Sequence, residues 1–380
     1  MKYLWDFQDH QINSIVLKPT DFCNLKCTYC YQDDRNLSKI KKMDLQLIEK
    51  IISDYFSYAD KYAQDNSLYI AWHGGEPLIT GRDYFYQVMQ IQKKFTDKKH
   101  IILNSVQTNG TLIDDKMAGF LKSNSFTVGV SLDGTKEIHD NYRIYRNGKG
   151  SFEEVMRGIQ KLVKNQVPVS AISVISKKSL KHIKDIYNMF KTLCIIEVDF
   201  VPSFLQESPD NLSIQEYTDF MIELFDLYYS DKDRNFGIRF IDDLLRLIAY
   251  RKTESPVSIG CELAGRCGEN LSILSNGDVY PCDCLSSIDP LCIGNIKTMT
   301  FEEIISSNLF KTFQNKVNII PEECNDCKFF SICKAGCFNR RIKTLEAKSF
   351  VKDIYCEARK NIIAHVLEKL KTYKNMDNTK

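Results

Sequence analysis

Three cysteines near the start of the chain have a spacing suited to holding an iron–sulfur cluster. Cys23, Cys27 and Cys30 are separated by three and then two residues, so one loop brings their thiolates together. A cubane [4Fe–4S] cluster has four irons that thiolates can ligate. Three cysteines therefore leave one iron open, as in catalytic metal sites that keep a free position for a substrate or cofactor. The alternatives are a zinc knuckle with a distant fourth ligand, or buried thiols without metal.

A second group of cysteines lies in the last third of the chain. It consists of Cys261, Cys267, Cys282, Cys324, Cys327, Cys333, Cys337 and Cys356. Eight cysteines complete two four-ligand sites and leave no iron open, so we expect electron transfer or a structural role. Two zinc sites fit the same count. Of the remaining cysteines, we expect Cys194 to pack beside a strand and Cys284 to be a reactive bystander, while Cys292 receives no role.

Composition excludes several classes of partner. Basic and acidic residues nearly balance, 51 against 49, which gives no indication of a nucleic-acid or anionic-membrane partner. Asp6, Asp9 and His10 interrupt any apolar core of a signal peptide. No stretch approaches the ~20 apolar residues of a membrane span. We therefore expect a cytoplasmic protein, where grouped cysteines bind metal more often than they form disulfides.

Short apolar runs alternate with helical patterns through the first 230 residues or so. The predicted strands are Ile12–Leu17, Leu68–Trp72, Ile101–Gln107, Phe126–Ser131, Pro168–Val174 and Ile195–Val201. The predicted helices are Asp44–Tyr58, Asp83–Phe95, Asp114–Leu121, Phe152–Lys164, Leu180–Phe190 and Ile214–Tyr229. Six βα units predict an α/β fold with a parallel sheet and right-handed crossovers. A doubly wound sheet fits this pattern, but a partial (β/α)6 TIM-type barrel is favoured because the unusual residues follow strand ends.

Polar and glycine-rich runs follow the second, third and fourth predicted strands. They are Gly74-Gly75-Glu76-Pro77, Gln107-Thr108-Asn109-Gly110 and Ser131-Leu132-Asp133-Gly134. Paired glycines allow a close approach of the backbone to a ligand, and Glu76 can accept a hydrogen bond from an ammonium group. Arg143 can pair with a carboxylate through two hydrogen bonds. The alternatives are ordinary turns for the three runs and a surface ion pair for Arg143.

The Cys-x3-Cys-x2-Cys motif with a following aromatic residue, together with Gly74-Gly75-Glu76-Pro77, resembles the radical S-adenosylmethionine (SAM) enzymes. The resemblance implies that the open iron chelates SAM, and that the reduced cluster cleaves it to a radical that abstracts hydrogen. By the same resemblance, the residues expected to contact SAM are Tyr29, Gly74, Gly75, Glu76, Gln107, Asn109, Ser131 and Arg143.

The second cysteine group resembles the SPASM domain of peptide-modifying radical SAM enzymes, which binds two auxiliary [4Fe–4S] clusters. The resemblance implies two ligand sets. The first set is Cys261, Cys267, Cys282 and Cys337, and the second set is Cys324, Cys327, Cys333 and Cys356. The chain is then expected to hold three [4Fe–4S] clusters. We predict a radical SAM domain at residues 1–235, a connecting helix and linker at 236–260, and the SPASM domain at 261–370.

Longer shared runs resemble the anaerobic sulfatase-maturating enzymes. They include Cys23-Asn24-Leu25-Lys26-Cys27-Thr28-Tyr29-Cys30, Trp72-His73-Gly74-Gly75-Glu76-Pro77 and Asn276-Gly277-Asp278-Val279-Tyr280-Pro281-Cys282-Asp283. These enzymes oxidise a Cys or Ser side chain of an unfolded sulfatase to Cα-formylglycine, and the resemblance implies a reduced flavodoxin or ferredoxin-type electron donor. It makes Asp283 the expected base; a carboxylate serves this role if burial raises its pKa. A turn or a supporting position near the ligands is the alternative for Asp283.

Gln32, Asp199 and Asp242 depart from the maturase pattern and leave the substrate open. One alternative is a maturase that cross-links or oxidises a short ribosomal precursor peptide. Such enzymes often carry an amino-terminal leader-binding domain, and the 22 residues before Cys23 weigh against one. The other alternative is an iron–sulfur or zinc binding protein without turnover, which the SAM-pocket motifs disfavour.

Overall fold

A parallel sheet with amphipathic helices forms the framework of the molecule. The computed structural model describes residues 12–32, 41–62, 66–97, 99–203, 210–250, 259–286, 288–341 and 352–377. Its strands are β1 (Ser14–Leu17), β2 (Ser67–Trp72), β3 (Ile101–Thr108), β4 (Thr127–Ser131), β5 (Val169–Ile175), β6 (Glu197–Pro202), β7 (Gly237–Ile238), β8 (Asn270–Ile273), β9 (Asp278–Tyr280) and β10 (Gly294–Asn295).

The helices lie mainly between the strands of the first part and around the cysteines of the second. They are α1 (Leu45–Tyr62), α2 (Arg82–Lys93), α3 (Asp115–Ser123), α4 (Lys136–Tyr142), α5 (Phe152–Lys164), α6 (Ile183–Thr192), α7 (Ile214–Ser230), α8 (Arg239–Ala249), α9 (Cys261–Ala264), α10 (Phe301–Ser306), α11 (Asn308–Val317), α12 (Phe330–Cys333) and α13 (Cys356–Asp377). Short 3₁₀ helices occupy Pro77–Thr80, Lys177–Lys181, Asp283–Leu285, Asp289–Leu291, Glu322–Cys324 and Phe338–Arg340.

Side-chain caps explain where two of these helices begin. The Asp114 side chain accepts a hydrogen bond from the backbone N–H of Met117 and starts α3. Ser213 and Glu216 form a reciprocal capping box at the start of α7. Such caps satisfy backbone donors that would otherwise lack partners in the first helical turn.

The strands form a single open sheet in the order β10-β9-β8-β1-β2-β3-β4-β5-β6-β7. Strands β1 to β7 are all parallel, which confirms the predicted run of βα units. Strand β8 pairs in parallel with the free edge of β1. The sheet therefore continues from the barrel into the cysteine-rich region, a connection that the sequence does not predict.

The predicted domain limits stay predictions. The linker proposed from the polar run 252–256 lies outside the described residues. The helix expected just before it is present as α8. Among the residues that the structure describes, no helix combines the length and apolar character needed to cross a membrane.

Alternate residues of the strands separate a dry core from an open face. Ile15, Leu17, Trp72, Val128 and Val130 are buried between the sheet and its helices. The opposite face of β3 to β6 carries half-buried residues. They are Ser105, Gln107, Gly129, Ser131, Ser170, Ile172, Glu197 and Asp199. This concave face, with the loops at the carboxyl ends of the strands, is where a partial barrel builds its site.

Candidate functional site

The loop with the first three cysteines directly follows β1 and is held by the segment after α4. The backbone N–H of Lys26 donates to the carbonyl of Ile144 at 2.7 Å, and that of Thr28 donates to Tyr142 at 3.0 Å. Leu25 forms an isolated antiparallel bridge with Tyr145. This pairing brings the segment around Arg143 against the cysteine loop.

The two glycines after β2 are required by close packing against the start of the same loop. A Cβ on Gly75 would lie 2.2 Å from the carbonyl oxygen of Phe22, and one on Gly74 would lie 2.5 Å from that of Thr20. Gly74 also has a φ of +118°, which favours glycine. The close backbone approach expected at these glycines is therefore an approach to the cysteine loop.

The Glu76 side chain is fully buried and joins the segment after β2 to the end of β3. Its carboxylate accepts hydrogen bonds from the backbone N–H groups of Leu78 at 3.0 Å and Asn109 at 2.7 Å, and from the Thr108 hydroxyl at 2.7 Å. Burial raises the pKa of Glu76 to about 7 against the opposing effect of these hydrogen bonds. The Asn109 amide in turn donates to Asn24 at 2.8 Å and lies 3.8 Å from the Cys23 sulfur.

A buried ion pair lies on the other side of the cysteine loop. The Arg143 Nε atom is 3.0 Å from Asp133 Oδ1, and Asp133 is completely buried. The Tyr29 hydroxyl donates to the other oxygen of Asp133, and the Arg143 guanidinium lies 5.3 Å from the centre of the Tyr29 ring. Burial raises the pKa of Cys27 to about 11, and the charge of Arg143 acts in the opposite direction. The alternative of a surface ion pair for Arg143 is wrong, because only 7% of the residue is exposed.

The two polar residues at the ends of β3 and β4 contact each other on the open face. The Gln107 amide donates to the Ser131 hydroxyl at 3.1 Å. Gly129 makes room for Gln107, whose Oε1 would lie 2.1 Å from a Cβ at that position. The expected SAM-contacting residues thus gather at the carboxyl ends of β2 to β4 around the cysteine loop, and their contacts to SAM stay predictions.

Asp283 lies where the barrel and the cysteine-rich region meet. Its Oδ1 atom is 2.9 Å from Lys18 Nζ and accepts a hydrogen bond from the Ser272 hydroxyl at 3.2 Å. Its Oδ2 atom accepts a hydrogen bond from the Tyr31 hydroxyl at 2.6 Å and lies 3.8 Å from His73 Nδ1. The carboxylate therefore touches β1, the cysteine loop, the Gly74–Gly75 turn and β8.

The charge state of Asp283 differs from the expectation of a raised pKa. Burial alone raises the pKa of Asp283, but the positive charges of His73 and Lys18 and the surrounding hydrogen bonds outweigh it, and the pKa falls to about 2. The expectation was wrong because the sequence does not reveal that Lys18, only 3% exposed, lies against this carboxylate. At neutral pH Asp283 is therefore ionised, and its low pKa makes it a weaker base than a carboxylate with an ordinary pKa.

The later cysteines lie in two groups that include the predicted sets, with Cys284 beside the first of them, and all fourteen cysteines of the chain are free thiols. Burial raises the pKa of Cys267, and the neighbouring Cys337 acts in the same direction. A hydrogen bond with Cys284 and burial raise the pKa of Cys282, and Cys267 and Cys337 act on it in the same direction. In the second set, Cys324, Cys327, Cys333 and Cys356 line one cavity. Thiols that lie together without forming disulfides are consistent with the prediction that each set holds an iron–sulfur cluster. Their roles as ligands stay predictions.

Three cysteines outside the predicted sets have different surroundings. Cys194 is exposed in the turn before β6, with a φ of +53°, so the expectation that it packs beside a strand is wrong. Cys284 is exposed next to Cys282. The Cys292 thiol donates to the carbonyl of Gly294 at 3.4 Å.

The positions that depart from the maturase pattern have defined partners. The Gln32 amide donates to the Gly74 carbonyl at 2.7 Å. Asp199 pairs with Arg239 at 3.2 Å, and burial raises the pKa of Asp199 to about 6. The Asp242 carboxylate accepts a hydrogen bond from Tyr228 at 2.8 Å.

Sequence reasoning missed Lys18, Tyr31 and Asp133 as members of the site. Lys18 directly follows a strand that ends at the cysteine loop, and Tyr31 is the aromatic residue after Cys30. Position after a strand end was therefore a usable signal for Lys18 and Asp133. The contact between Tyr31 and Asp283 joins distant parts of the chain, and no local pattern indicates it.

Replacing Arg143 by alanine is expected to weaken SAM binding and also to destabilise the fold. The change leaves Asp133 buried without its cation, which costs about 3–5 kcal/mol. SAM binding by equilibrium dialysis, iron content and thermal unfolding are the measurements.

The double variant Arg143→Ala/Asp133→Asn separates the two effects, because it removes the unpaired charge. Recovery of stability and iron content without recovery of SAM binding is the expected result. Full recovery of SAM binding in the double variant would make Arg143 a structural residue only.

Comparison with known proteins identifies two regions of the chain. Residues 17–190 match the radical SAM superfamily, and residues 261–328 match an iron–sulfur cluster-binding domain, SPASM. The second match favours iron–sulfur clusters over the zinc alternative. S-adenosylmethionine and [4Fe–4S] clusters are the cofactors of this radical SAM oxidoreductase.

Two curated relatives are similar over most of their length. A cysteine-type anaerobic sulfatase-maturating enzyme from Clostridium novyi is 34% identical over 94% of this chain and 96% of that enzyme. A serine-type enzyme from Bacteroides thetaiotaomicron is 31% identical over 86% of this chain and 83% of that enzyme.

Two solved structures have a similar fold. The structure described as native anSMEcpe with bound AdoMet and Kp18Cys peptide has a TM-score of 0.85 and 31% identity, over 95% of this chain and 99% of that chain. Streptococcus suis SuiB, solved with its precursor peptide SuiA, has a TM-score of 0.64 over 90% of this chain and 76% of that chain, and at 16% identity it shares the fold alone. The similarity to the maturating enzymes covers both cysteine-rich regions and the sheet that joins them, and this chain therefore belongs to the anaerobic sulfatase-maturating enzyme family.

Proposed function

We propose that this enzyme oxidises a cysteine side chain of an unfolded sulfatase to Cα-formylglycine. The observation that carries the proposal is the similarity along nearly the whole chain to a cysteine-type sulfatase-maturating enzyme. A structure of similar fold is described with bound AdoMet and a peptide, which supports a peptide substrate here. The serine-type relative is slightly less similar and covers less of the chain, so serine is the second substrate to test.

Three [4Fe–4S] clusters and one SAM molecule are the proposed cofactors. Cys23, Cys27 and Cys30 would hold the first cluster with one iron open. Bound there, SAM supplies the radical that removes a β-hydrogen atom from the substrate. The two later cysteine sets would hold closed clusters, suited to electron transfer because no iron is free to bind substrate. A reduced flavodoxin or ferredoxin-type protein is the proposed electron donor.

Asp283 is the proposed acceptor of the thiol proton. One position and one contact support this role. Asp283 directly follows Cys282 in the sequence. Its carboxylate accepts a hydrogen bond from Tyr31, which directly follows Cys30. It therefore lies between the first cysteine loop and the first later set. Lys18 and Tyr31 fix the orientation of its two oxygens.

Atoms and electrons balance in the proposed reaction. The cysteine CH₂–SH group would lose one hydrogen atom to the radical, one proton to Asp283 and one electron, for which the clusters held by the later cysteine sets would be the acceptors. These losses leave a thioaldehyde. Water then replaces the sulfur, releasing hydrogen sulfide and leaving the aldehyde of formylglycine.

The proposal is tested with peptides and reconstituted enzyme under anaerobic conditions. A peptide containing Cys-x-Pro-x-Arg should gain an aldehyde, detected by mass spectrometry after hydrazine labelling, and 5′-deoxyadenosine should form in step with it. A matched peptide with alanine in place of cysteine is the control for SAM cleavage without product. Cleavage of SAM with no aldehyde on either the cysteine or the serine peptide would contradict the proposal and favour a precursor-peptide substrate.

A further inference from the structure

Four charged side chains, two of them buried and two partly exposed, form a closed network between the two later cysteine sets. Its members are Glu262, Arg340, Asp353 and Arg359. Arg359 Nη1 is 2.5 Å from a Glu262 oxygen, and its Nη2 pairs closely with Asp353. Arg340 pairs with the same Glu262 oxygen and lies 3.0 Å from Asp353 Oδ2. Each arginine thus contacts both carboxylates, and the four charges cancel.

The network is attached to both cysteine sets through the chain. Glu262 directly follows Cys261 of the first set, and the backbone N–H of Cys337, also in that set, donates to Asp353 at 2.9 Å. Arg359 is one helical turn after Cys356 of the second set, on α13. The network therefore spans the space between the two sets.

Arg359 is placed as a donor toward the second set. It is fully buried, and together with the four cysteines of that set it lines their cavity. Its Nε atom is buried and has no hydrogen-bond partner among the residues that the structure describes. A buried N–H without an acceptor costs free energy, so such groups in native proteins usually meet a partner.

A further observation indicates that the position is built for a guanidinium. Gly336, with a φ of +71°, leaves the space for it, because a Cβ there would lie 2.2 Å from Arg359 Nη2. A larger residue at position 336 would displace the guanidinium from this place.

We propose that Arg359 donates a hydrogen bond through Nε to a sulfur atom of the cluster held by Cys324, Cys327, Cys333 and Cys356. This hydrogen bond raises the reduction potential of that cluster above the potential of the cluster held by the other later set. The inference rests on the proposed ligand set. Hydrogen bonds to cluster sulfurs and nearby charge stabilise the reduced, more negative state. The electron that leaves the substrate would then pass from the cluster of the first later set to the cluster of the second, which has the higher reduction potential.

The test is a potentiometric titration of the reconstituted full-length enzyme followed by electron paramagnetic resonance. In Arg359→Met, the potential of one auxiliary cluster should become more negative, while that of the other stays within error of the unaltered enzyme. The signal missing from a Cys356→Ala protein identifies the shifted cluster. Iron content tests the ligand set separately, so failure of the cluster assignment and failure of the Arg359 role are distinguishable.

Lys360→Met is the matched control, because Lys360 lines the same cavity but is partly exposed and pairs with Glu357 at 3.2 Å. Solvent screens such a charge, so the shift should be much smaller than in Arg359→Met. An equal shift in both variants would overturn the role of the Nε hydrogen bond.

The double variant Arg359→Met/Glu262→Gln restores neutrality of the network without restoring the donor. Its potential should stay below that of the unaltered enzyme, and a full return would assign the effect to net charge and overturn the proposal. If Arg359→Met does not retain the cluster, Arg359→Gln, which keeps an N–H donor, is titrated instead. A partial shift in the same direction supports the proposal; no shift, or loss of the cluster from this variant as well, overturns it.

Discussion

Asp283→Asn is expected to lose most formylglycine formation while retaining its clusters and its cleavage of SAM. Asparagine keeps the shape of the side chain, but it loses the negative charge that faces Lys18 and it cannot accept the substrate proton. A positioned base contributes typically ~10²–10⁴-fold to such a step, so we expect a loss in this range. Iron content, 5′-deoxyadenosine and aldehyde are measured on the same samples.

The three measurements distinguish the possible roles of Asp283. Loss of iron would make Asp283 a structural support for Cys282. Unchanged aldehyde formation would assign the base to another residue. Ser272→Ala is the comparison, because Ser272 contacts the same carboxylate at 3.2 Å without being able to take its role, and we expect a small effect.

The pH dependence gives a second arm of this prediction. With a pKa of about 2, Asp283 is ionised throughout the neutral range, so its protonation should not limit the aldehyde formed per SAM cleaved between about pH 5.5 and 8. In Lys18→Met, one of the cations that lower the pKa of Asp283 is absent, so this pKa rises. The basic form is then lost at a higher pH than in the unaltered enzyme, so the acid limb of the profile should move to higher pH. An acid limb at the same pH in both proteins would contradict the role of Lys18.

The triple variant Cys23→Ala/Cys27→Ala/Cys30→Ala is expected to lose SAM cleavage completely. The unaltered enzyme should hold about twelve irons, and this variant should lose about four of them, because only the open cluster depends on these three thiols. The other eight predicted ligands lie in the second part of the chain, away in sequence from these three thiols. Iron analysis, visible absorbance and 5′-deoxyadenosine formation are the measurements.

A matched triple variant at Cys194, Cys284 and Cys292 changes the same number of thiols outside the predicted sets. It should keep its iron. Loss of iron from this control, or SAM cleavage by the first variant, would contradict the assignment of the open cluster. Stoichiometric zinc in the unaltered protein would contradict all three clusters.

The first six strands were predictable because each is a short apolar run followed by a helical pattern. Observed β3 and β5, for example, end one residue beyond the predicted Gln107 and Val174. Asp114 and Ser213 are of the residue types that cap helices, so these two helix starts also depend on the local sequence. The cysteine spacings indicated metal chemistry before any fold was known.

Other parts of the site depend on contacts between distant segments. The pairing of β8 with β1 places Lys18 next to Asp283, and sequence periodicity gives no register between such strands. Glu76 was expected to be available to a ligand, yet its carboxylate accepts three hydrogen bonds within the protein. A motif therefore indicated the right region of the molecule without indicating what each side chain contacts.

The pairing of β8 with β1 also bears on how the chain can be divided. Parallel neighbours lie about 4.8 Å apart and share a ladder of backbone hydrogen bonds. A fragment ending before β8 would expose the backbone edge of β1, between the buried side chains of Ile15 and Leu17. Unpaired apolar edges are templates for pairing with other chains. The cysteine-rich region thus covers this edge, and we expect a fragment that ends before β8 to self-associate.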